Sequence, residues 1–354
     1  MMAMEKEFTP KSLGFSMPAE WGPHKATWMS WPKNPLTFPH RLLAQVEGVF
    51  ALMCSALSHG EEARVLFDDS KSADRAVKLI EKAGATMRNV KPVIMKSADV
   101  WIRDYGPTFL LSKSGKKSAV KWKFNAWGGK YDDLMYDDRT GYDILSYLSQ
   151  DYFEPGIVME GGSIDVNGSG SMLTTSQCLL NKNRNPNLSK AQIEKYLLDY
   201  TGVSNFIWLS SGIEGDDTDG HVDDFARFAG KSLVLCASGS VKGGLDSRVL
   251  SQNMEILDNS TDEDGNGLEI AKLPLPRPLI DKEEGRKLPA SYANFYIGNK
   301  AVLLPVFNDK ADKEAIEVLE SCFPGREIVP IEASSLVFGY GGIHCATQQE
   351  PKGA

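Results

Sequence analysis

The sequence predicts an α/β fold with mixed sheets in a single domain. Segments with apolar residues at helical spacing alternate several times with short strand-like runs. The 354 residues are 42% hydrophobic and 24% charged, a globular composition with material for a large core. No long Gly/Ser/Pro linker divides the chain, and the weakest segment, 257–268, is predicted to be a surface loop. No internal repeat stands out strongly enough to establish symmetry.

Helices in the first half of the chain are predicted where apolar residues recur at helical spacing and a glycine follows. Residues 40–59 meet this pattern and stop at Gly60, and residues 71–83 meet it and stop at Gly84. Short runs rich in β-branched and aromatic residues predict strands. These runs are ARVLF, the strand–bend–strand VIMKSADVWIRDYGPTFLLS, SAVKWKF, and the hairpin of IVMEGGSIDV and SMLTTSQCLL across NGSG. Residues 1–16 are expected to form a flexible N-terminus.

The second half continues the alternation of helices and strands. Helices are predicted for residues 189–200 and 310–322, and single strands for NFIWLS and REIVPI. HVDDFARFAG and SLVLCAS form a predicted strand pair, and ANFYIGNKAVLLPVF is a predicted hairpin turned by Gly298 and Asn299. This alternation indicates sheets covered by helices.

The net charge of -8 argues against nucleic acid or an anionic membrane surface as a partner and favours a cationic small molecule. No apolar stretch typical of a signal peptide begins the sequence, and no run approaches the length of a membrane span. The cysteines are odd in number and scattered, without CxxC spacing. We therefore expect a reduced, cytoplasmic chain with no disulfide framework and no zinc site. These cysteines are Cys54, Cys178, Cys236, Cys322 and Cys345.

Cys345 is the strongest candidate for a functional residue. It lies in FGYGGIHCATQQEP, between glycines on one side and polar residues on the other. Structural cysteines are usually buried among apolar neighbours, whereas a glycine-rich turn can expose and aim a thiol. A nucleophilic thiol needs an acid or base nearby, so one of the five histidines is expected to lie close to it.

His221 is the histidine whose neighbours best suit that role. It follows a glycine and has six carboxylates within seven residues on either side, which are expected to raise its pKa and favour the imidazolium. His344 adjoins Cys345, so its side chain would point to the opposite face of an extended segment. The remaining histidines are interpreted as cap or packing residues: His24, His40 and His59.

Charged residues also occur inside apolar sequence. VWIRDYGPTF places Arg103 and Asp104 between aromatic residues, and VMEGGSIDV places Glu160 before two glycines. Buried carboxylates need partners, so Arg103 could simply pair with Asp104 or another acid, and Glu160 could mark an ordinary strand end. Together, one thiol, one imidazole and several carboxylates suit reaction at a guanidinium. Paired carboxylates bind its planar donors, and a thiolate can attack its carbon.

Five motifs of the chain resemble, in order and spacing, those of the agmatine deiminase and bacterial-type (Porphyromonas-type) peptidylarginine deiminase family. They are WIRDYGPTF, FNAWGGKY, EGGSIDV, EGDDTDGHVD and GYGGIHCATQQEP, and the opening MPAEWGPHKATWMSWP is also similar. The resemblance runs from about Met17 to Pro351. It implies a guanidino-group-modifying enzyme whose single catalytic domain, residues 1–354, has a five-bladed, pseudo-symmetric α/β propeller (the pentein fold). It implies no metal and no organic cofactor.

The resemblance also implies roles for individual residues. Cys345 would be the nucleophile, His221 the general acid/base, and Glu160 the carboxylate that orients the imidazole. The substrate-binding residues would be Asp104 and Asp223, which bind the guanidinium nitrogens, and Trp101, which lines the site.

Hydrolysis of agmatine to N-carbamoylputrescine and ammonia is the leading expectation, with deimination of peptidyl or free arginine as the alternative. Amidinotransfer and non-catalytic binding of polyamines or guanidines fit less well, because a binder needs only the acids. The chain departs from close agmatine deiminases at Tyr105 and Asp224. It also carries Arg227, which could favour a carboxylate-bearing substrate or pair with a nearby acid. The acidic residues of segment 214–219 could form a negative rim for an ammonium tail or merely face water. Nothing in the sequence specifies an oligomeric state.

Overall fold

Five small sheets linked by helices make up the described part of the chain, residues 8–239 and 245–354 of the computed structural model. Two sheets have four strands and three have three. The strands are Phe15–Ser16 (β1), His24–Ser30 (β2), Glu62–Phe67 (β3), Val90–Ile94 (β4), Thr108–Ser112 (β5), Lys117–Val120 (β6), Tyr152–Phe153 (β7), Ile164–Val166 (β8), Ser171–Thr175 (β9), Asn205–Leu209 (β10), Ala226–Phe228 (β11), Leu233–Ala237 (β12), Glu269–Leu273 (β13), Tyr296–Ile297 (β14), Ala301–Val306 (β15), Glu327–Glu332 (β16) and Gln348–Pro351 (β17).

The helices connect these strands and cover the sheets. They are His40–Ser58 (α1), Ser70–Lys82 (α2), Ile102–Tyr105 (α3), Ala126–Gly129 (α4), Asp137–Tyr147 (α5), Ser176–Leu179 (α6), Lys190–Thr201 (α7), Leu245–Asp258 (α8), Asp312–Cys322 (α9) and Ser334–Val337 (α10). The predicted α/β class with mixed sheets is confirmed.

Four of the sheets repeat one pattern: two antiparallel strands, then a helix, then a third strand parallel to the second. Strands β8 and β9 form the hairpin predicted across NGSG, and α7 returns the chain so that β10 pairs in parallel with β9. A parallel neighbour requires such a crossover, whereas a hairpin does not. The same order holds for β5–β6–α5–β7, β11–β12–α8–β13 and β14–β15–α9–β16.

The fifth sheet joins the two ends of the chain. Strand β17 pairs antiparallel with β2, and β2 pairs in parallel with β3, which pairs in parallel with β4. In this register Gln348 lies opposite Trp28. The repeated pattern and the count of five sheets in the described residues match the blades that the family resemblance implies.

All four helices expected from the periodicity are present as α1, α2, α7 and α9, but the longer helices α5 and α8 were not predicted. The residues that α8 buries include Asp246, Leu250, Asn253 and Leu257, so polar side chains interrupt its apolar stripe. Helix α5 likewise buries an aspartate, a threonine and a glycine beside its two aliphatic residues. A hydrophobic pattern cannot reveal a helix whose core face is partly polar.

Two further expectations need correction. The segment VIMKSADVWIRDYGPTFLLS contains the short helix α3 where a simple bend was expected. The N-terminal expectation fails for residues 8–16, because Lys11–Leu13 form a 3-10 turn and β1 pairs with β5. Residues 1–7 lie outside the described residues. The predicted surface loop 257–268 begins inside α8 and is irregular beyond it, apart from one bridge between Thr261 and Gly267.

Helix α1 is long and apolar enough to cross a membrane by length and composition alone. It is instead a core helix, because it packs against α2, α10, β3, β15 and β16. Its buried residues include Val46, Phe50, Cys54 and Leu57, which recur at helical spacing along one face.

Each sheet places one functional candidate, or a residue that holds one, just before one strand of an antiparallel pair. Asp104 precedes β5, Glu160 precedes β8, Asp223 precedes β11, Asn294 precedes β14 and Cys345 precedes β17. The repeated fold therefore brings five chemically different side chains to equivalent positions in five repeats.

Gly48 provides a test of how α1 contributes to stability. It lies on the exposed face of the helix, and a Cβ added there would meet no atom within 4 Å. We expect Gly48→Ala to raise the free energy of unfolding by about 0.5–1 kcal/mol, because alanine loses less backbone entropy in a helix.

Gly202, which ends α7, is the matched control for Gly48. Its φ is 79°, and an added Cβ would lie 2.8 Å from that of Ser16. Gly202→Ala should lower the stability that denaturant unfolding measures. Equal effects of the two substitutions would contradict this account.

Candidate active site

A cavity of about 400 Å³ contains three of the candidate residues in its lining: Trp101, Asp104 and Cys345. Aromatic side chains form much of the wall, including Trp127, Tyr131, Phe338 and Tyr340. An added Cβ on Gly341 would lie 2.5 Å from the Trp101 ring, so this glycine lets the backbone approach the indole. Such a concave, largely apolar cavity with a few polar groups is typical of a small-molecule site.

Cys345 lies in a turn that Asn294 anchors from the neighbouring sheet. The Asn294 Oδ1 accepts hydrogen bonds from the backbone N–H groups of His344, at 2.9 Å, and Cys345, at 3.4 Å. Its Nδ2 lies 3.1 Å from the Cys345 Sγ and donates to Asp224 Oδ1 at 2.9 Å. Cys345 is only 6% exposed. The Asn294 amide thus holds both the backbone and the sulfur of this turn, and the Arg103 N–H donates to the Cys345 carbonyl oxygen at 3.1 Å.

The sulfur lies in a strongly acidic environment. Asp223 Oδ2 is 3.8 Å from the Cys345 Sγ. Burial, followed by the charges of Asp223, Asp224 and Asp104, raises the pKa of Cys345 well above its usual value. The thiol is consequently protonated at neutral pH when no cation lies beside it.

Asp104 is held by two donors from different parts of the chain. Its Oδ2 accepts a hydrogen bond from the Trp127 indole at 2.9 Å, and its Oδ1 accepts one from the Gly162 N–H at 2.9 Å. Burial and the nearby carboxylates of Asp223 and Glu160 raise the pKa of Asp104 well above its usual value. Both oxygens are thereby oriented, while the carboxyl favours its protonated form.

The segment that presents Trp127 is strained. Ala126 and Trp127 have φ values of 49° and 54°, in the left-handed region, where side chains with a Cβ are disfavoured. Such residues cost about 1–3 kcal/mol each and persist only where their surroundings hold them. Here the Asn125 side chain accepts a hydrogen bond from the Gly128 N–H at 2.8 Å. The strain coincides with the indole's contact to Asp104, so FNAWGGKY contributes to the site.

His221 is fully buried, and neither of its ring nitrogens makes a hydrogen bond within the described residues. Its Nδ1 lies 3.8 Å from Asp104 Oδ1 and 4.0 Å from Asp223 Oδ1. Burial lowers the pKa of His221 to about 3, despite the opposing charge of Asp223. The expectation of a raised pKa was therefore wrong, and the imidazole is neutral in this site.

Asp216 and Asp219, which lie close to His221 in sequence, bond to groups other than its ring. Asp216 turns back onto its own loop and accepts hydrogen bonds from the backbone of Thr218, Gly220 and His221. Asp219 forms ion pairs with Lys130 and Arg184. The carboxylates close in sequence are thus used elsewhere, and burial of the ring prevails.

Glu160 lies beside His221 and is completely buried. Its Oε1 accepts a hydrogen bond from the Arg184 Nε at 2.6 Å, and its Oε2 has no partner among the described residues. One Glu160 oxygen, one His221 ring nitrogen and the Cys178 Sγ all lie within 4.8 Å of one another. Arg184 therefore supplies the counter-charge that keeps Glu160 next to the imidazole.

Asp223 lies between the Cys345 sulfur and the ring of His344. The His344 Nδ1 lies 2.6 Å from Asp223 Oδ2. Burial alone would raise the pKa of Asp223, but the hydrogen bond and charge of His344 lower it below its usual value. Asp223 is consequently ionised where Asp104 and Asp224 favour their protonated forms.

Two groups of side chains within the described residues have a spacing that could hold a metal ion. They are Asp223, Asp224 and Cys345, and Glu160, Cys178 and His221. Both coincide with the candidate site. Arg184 places a guanidinium 2.6 Å from Glu160, which opposes a cation in the second group. The absence of a metal cofactor stays a prediction.

The structure thus brings together all six residues that the sequence and the resemblance selected. Trp101, Asp104 and Cys345 line the cavity, and the other three, Glu160, His221 and Asp223, lie directly behind them. Sequence reasoning missed Asn294, Arg184, Trp127 as an individual residue, and Glu20. Of these, Trp127 and Glu20 lie within quoted motifs, so a signal for them existed.

The basic residues near the site have structural partners. Arg103 does not pair with Asp104; its guanidinium binds Gln349 at 2.6 Å and Glu20 at 3.3 Å. Arg227 is fully buried and bonded to Asp165 and Glu20, so it is not a partner for a substrate carboxylate. The cation that does line the cavity is Arg286.

Comparison with known proteins identifies the family. A family model described as Porphyromonas-type peptidyl-arginine deiminase matches residues 16–351 of this chain. The chain belongs to this family. A Legionella pneumophila protein provisionally named an agmatine deiminase is 38% identical over 352 residues, covering 99% of this chain and 98% of the relative.

Solved structures of Porphyromonas-type relatives share the same fold. The agmatine deiminase of Enterococcus faecalis has a TM-score of 0.88 and 32% identity, covering 99% of this chain and 100% of that chain. The agmatine deiminase of C. jejuni, as a Cys-to-Ser variant with substrate bound, has a TM-score of 0.86 and 28% identity, covering 96% and 97%. The pentein fold expected from the resemblance is confirmed.

The charges around Cys345 predict selective labelling by a cationic electrophile. We expect 2-chloroacetamidine to alkylate Cys345 first, because the surrounding acids attract its amidinium and the bound cation favours the thiolate. Neutral iodoacetamide should instead label Cys322 first, because Cys322 is partly exposed while the other cysteines are buried. Peptide mass mapping at matched partial labelling distinguishes the two patterns. Preferential labelling of Cys322 by both reagents would show that the acids do not act on the thiol.

Proposed function

We propose that this chain hydrolyses agmatine to N-carbamoylputrescine and ammonia through a covalent thiouronium on Cys345. The observation that carries the proposal is the convergence of a neutral thiol, a neutral imidazole and several buried carboxylates beside one cavity. Buried acids of this number need a cation, and a guanidinium supplies one together with planar hydrogen-bond donors. The named activities of the Enterococcus and C. jejuni relatives support the same substrate class.

The first half of the reaction forms the covalent intermediate. A guanidinium bound between Asp104 and Asp223 places its positive charge beside Cys345 and lowers the pKa of the thiol. The thiol proton passes to His221, whose lowered pKa leaves it neutral and able to accept a proton, and the thiolate adds to the guanidinium carbon. His221 then returns that proton to one amino group, the C–N bond breaks, and ammonia leaves.

The second half releases the product. His221 takes a proton from water as the water oxygen adds to the carbon of the thiouronium, and the C–S bond then breaks with its electrons on sulfur. The hydroxyl proton of the intermediate passes to the sulfur, which restores the thiol and gives the neutral ureido group of the product. His221 then releases its proton to solvent, where the departed ammonia takes it up as ammonium. Glu160 orients the imidazole in both halves, and Arg184 holds Glu160. Trp101 packs against the substrate in the cavity wall.

The charge of the cavity favours a substrate with a second cation. Arg286 is the one basic residue among the described lining residues, whereas the acidic lining residues beyond Asp104 are Asp133, Asp217, Asp281, Glu283 and Glu284. Of the acidic segment 214–219, Asp217 lines the cavity, where Arg286 and Tyr131 bind it. Glu214 instead lies beside Lys287. The negative rim is therefore made mainly by residues outside that segment.

Arginine is the second candidate substrate, and Arg286 is the observation that favours it. A guanidinium at the cavity wall could bind the α-carboxylate that agmatine lacks. We place agmatine first because the acids outnumber this cation. The further proposals from the sequence are a single catalytic domain over residues 1–354 and a cytoplasmic location.

The deciding experiment measures ammonia and ureido product with agmatine, free arginine and a peptidyl arginine. We expect kcat/KM to be highest for agmatine. Turnover of peptidyl arginine with agmatine unprocessed would overturn the substrate assignment and leave the thiol chemistry in place. Binding of all three without any ammonia release would make the chain a non-catalytic guanidine binder.

Cys345→Ser tests the nucleophile. A serine hydroxyl has no comparable anion at neutral pH, so kcat should fall by roughly four orders of magnitude or more. The circular dichroism spectrum should be unchanged, because the substitution changes one buried atom. Cys322→Ser is the matched control and should retain nearly full activity, since Cys322 lies in α9 away from the lining of the cavity. Residual turnover of a few per cent in Cys345→Ser would exclude Cys345 as the nucleophile.

Gly162→Ala tests the arrangement of the acids around the imidazole. An added Cβ would lie 2.6 Å from the His221 Nδ1 and 3.0 Å from oxygens of Asp104 and Asp223. We expect the displaced side chains to lower kcat/KM by roughly a hundredfold or more, as misplacement by about 1 Å does in other active sites. Gly267→Ala, where no atom lies within 4 Å, is the control. Wild-type kcat/KM in Gly162→Ala would show that this geometry is not needed for catalysis.

Arg286→Ala tests how the cavity wall chooses between agmatine and arginine. Arg286 pairs with Asp217 at 2.6 Å and lies 4.3 Å above the Tyr340 ring. Its removal frees an acid for the ammonium of agmatine and removes the cation nearest to an arginine carboxylate. The ratio of kcat/KM for agmatine to that for arginine should rise roughly two- to fivefold, the scale of a partly exposed ion pair. A fall in that ratio would contradict the role of Arg286 as the cation that favours an arginine carboxylate.

A further inference from the structure

His344, the residue before the nucleophile, is held between two carboxylates. Its Nδ1 lies 2.6 Å from Asp223 Oδ2, and its Nε2 lies 2.8 Å from Glu20 Oε2. Carboxylate oxygens only accept hydrogen bonds, so each ring nitrogen must carry a hydrogen if both acids are ionised. The geometry therefore fits an imidazolium between two anions. All three side chains are buried, so water screens these interactions little.

Glu20 is an anchored end of this arrangement. Its Oε1 accepts hydrogen bonds from the Arg227 Nη2 at 2.9 Å and from the Ile297 N–H at 2.8 Å. Arg103 Nη2 lies 3.3 Å from its Oε2. Burial would raise the pKa of Glu20, but Arg227, His344 and Arg103 together lower it well below its usual value. Glu20 is consequently a fixed anion, and the His344 ring links it to Asp223.

The contact between His344 and Asp223 favours the ionised form of this acid over those of its neighbours. Asp104, Asp223 and Asp224 are mutually close buried carboxyls, and such groups cannot all ionise without a compensating cation. Of these three, Asp223 is the one that His344 contacts at hydrogen-bond distance. Asp104 is held by neutral donors, the Trp127 indole and the Gly162 amide. The imidazolium therefore places the negative charge on Asp223.

We propose that Glu20 and His344 form a positioning pair that keeps Asp223 ionised and correctly turned for the substrate guanidinium. Neither residue is among those that line the cavity, so the pair acts through Asp223. The motif MPAEWGPH, whose Glu20 has no role in the proposed chemistry, thereby gains one. The inference rests on the proposed function only for the identity of the cation that Asp223 binds.

The groups that face His344 are Asp223 and Glu20 on its two nitrogens, and the Tyr296 ring with its centroid 6.5 Å away. Arg103 contacts the backbone carbonyl of His344 at 3.3 Å as well as Glu20. When the imidazolium is lost, Asp223 keeps its acidic neighbours but loses its cation, so its pKa rises. Protonated Asp223 cannot attract a guanidinium, so substrate binding should weaken as the pH falls.

The first experiment needs no variant and no turnover. In wild-type protein labelled with ¹⁵N-histidine, both ring nitrogens of His344 should show the shifts of nitrogens that carry a hydrogen under the conditions of the activity assay. The His344→Gln spectrum assigns the signal by its loss. A His344 ring with only one N–H under those conditions would overturn the proposal, whatever the enzyme's substrate is.

The second experiment uses His344→Gln, which retains a hydrogen-bond donor but carries no charge. KM for agmatine should rise about tenfold at pH 6.5 and less at pH 8.5. A carboxyl whose pKa lies about one unit above the pH is only about one-tenth ionised, and raising the pH restores its charge. The change in kcat should be smaller. The matched control is His24→Gln, because His24 is also buried and its Nδ1 is 3.1 Å from Glu61, which is not an acid of the site. Both histidines lie beside Tyr296, so the loss of a contact with that ring is common to the two variants.

The outcomes separate a positioning role from a merely structural one. A pH-dependent rise in KM for His344→Gln, absent from His24→Gln at a similar loss of thermal stability, supports the pair. Equal pH profiles in the two variants would overturn it. If wild-type protein processes arginine and not agmatine, the same profiles measured with arginine test the pair. If His344→Gln does not fold, the signals of the other four histidines are assigned by their loss in single Gln variants, and the remaining wild-type signal decides the protonation state.

Discussion

A cluster of buried carboxyl groups, where the segments before β5, β8, β11, β14 and β17 meet, is the constraint on which the rest of this structure depends. Asp104, Asp223, Asp224 and Glu160 lie around one sulfur and one imidazole, and all are buried. Burying charge is costly unless cations or donors compensate it. Arg184 and His344 compensate Glu160 and Asp223, whereas Asp104 and Asp224 accept hydrogen bonds from neutral donors and favour their protonated forms. A cation that enters the cavity therefore allows a further carboxyl of the cluster to ionise.

The fold supplies this cluster by repetition with changed side chains. In each sheet, a tight turn comes immediately before one strand. The functional residue in that turn differs from sheet to sheet. The turns are α3, two 3-10 turns at Gly161–Ser163 and Val222–Asp224, and the irregular segments that hold Asn294 and Cys345. A repeated backbone thus provides geometry, while specific chemistry comes from single residues at equivalent positions. Neutral groups share this role with charged ones, as Asn294 shows by anchoring the cysteine turn.

Local sequence patterns predicted most hairpins and the apolar helices, because those elements depend on side chains near in sequence. The family motifs also identified Cys345, His221, Glu160, Asp104, Asp223 and Trp101 correctly as neighbours. The protonation of His221 was mispredicted, since sequence distance does not show that Asp216 and Asp219 bond elsewhere. The roles of Arg184 and Asn294 arise from contacts between sheets, which no local pattern encodes. Helix α8 escaped prediction because its buried face carries polar residues.

The pairing of β17 with β2 has a consequence for the order of folding. Trp28 lies opposite Gln348 in this pair, and the contact between Glu20 and His344 joins residues 324 positions apart. Closing so long a loop costs conformational entropy before the contact stabilises the fold. Hairpins and local helices can therefore form well before this sheet closes. The candidate nucleophile reaches its acidic neighbours only when distant segments of the described chain have met.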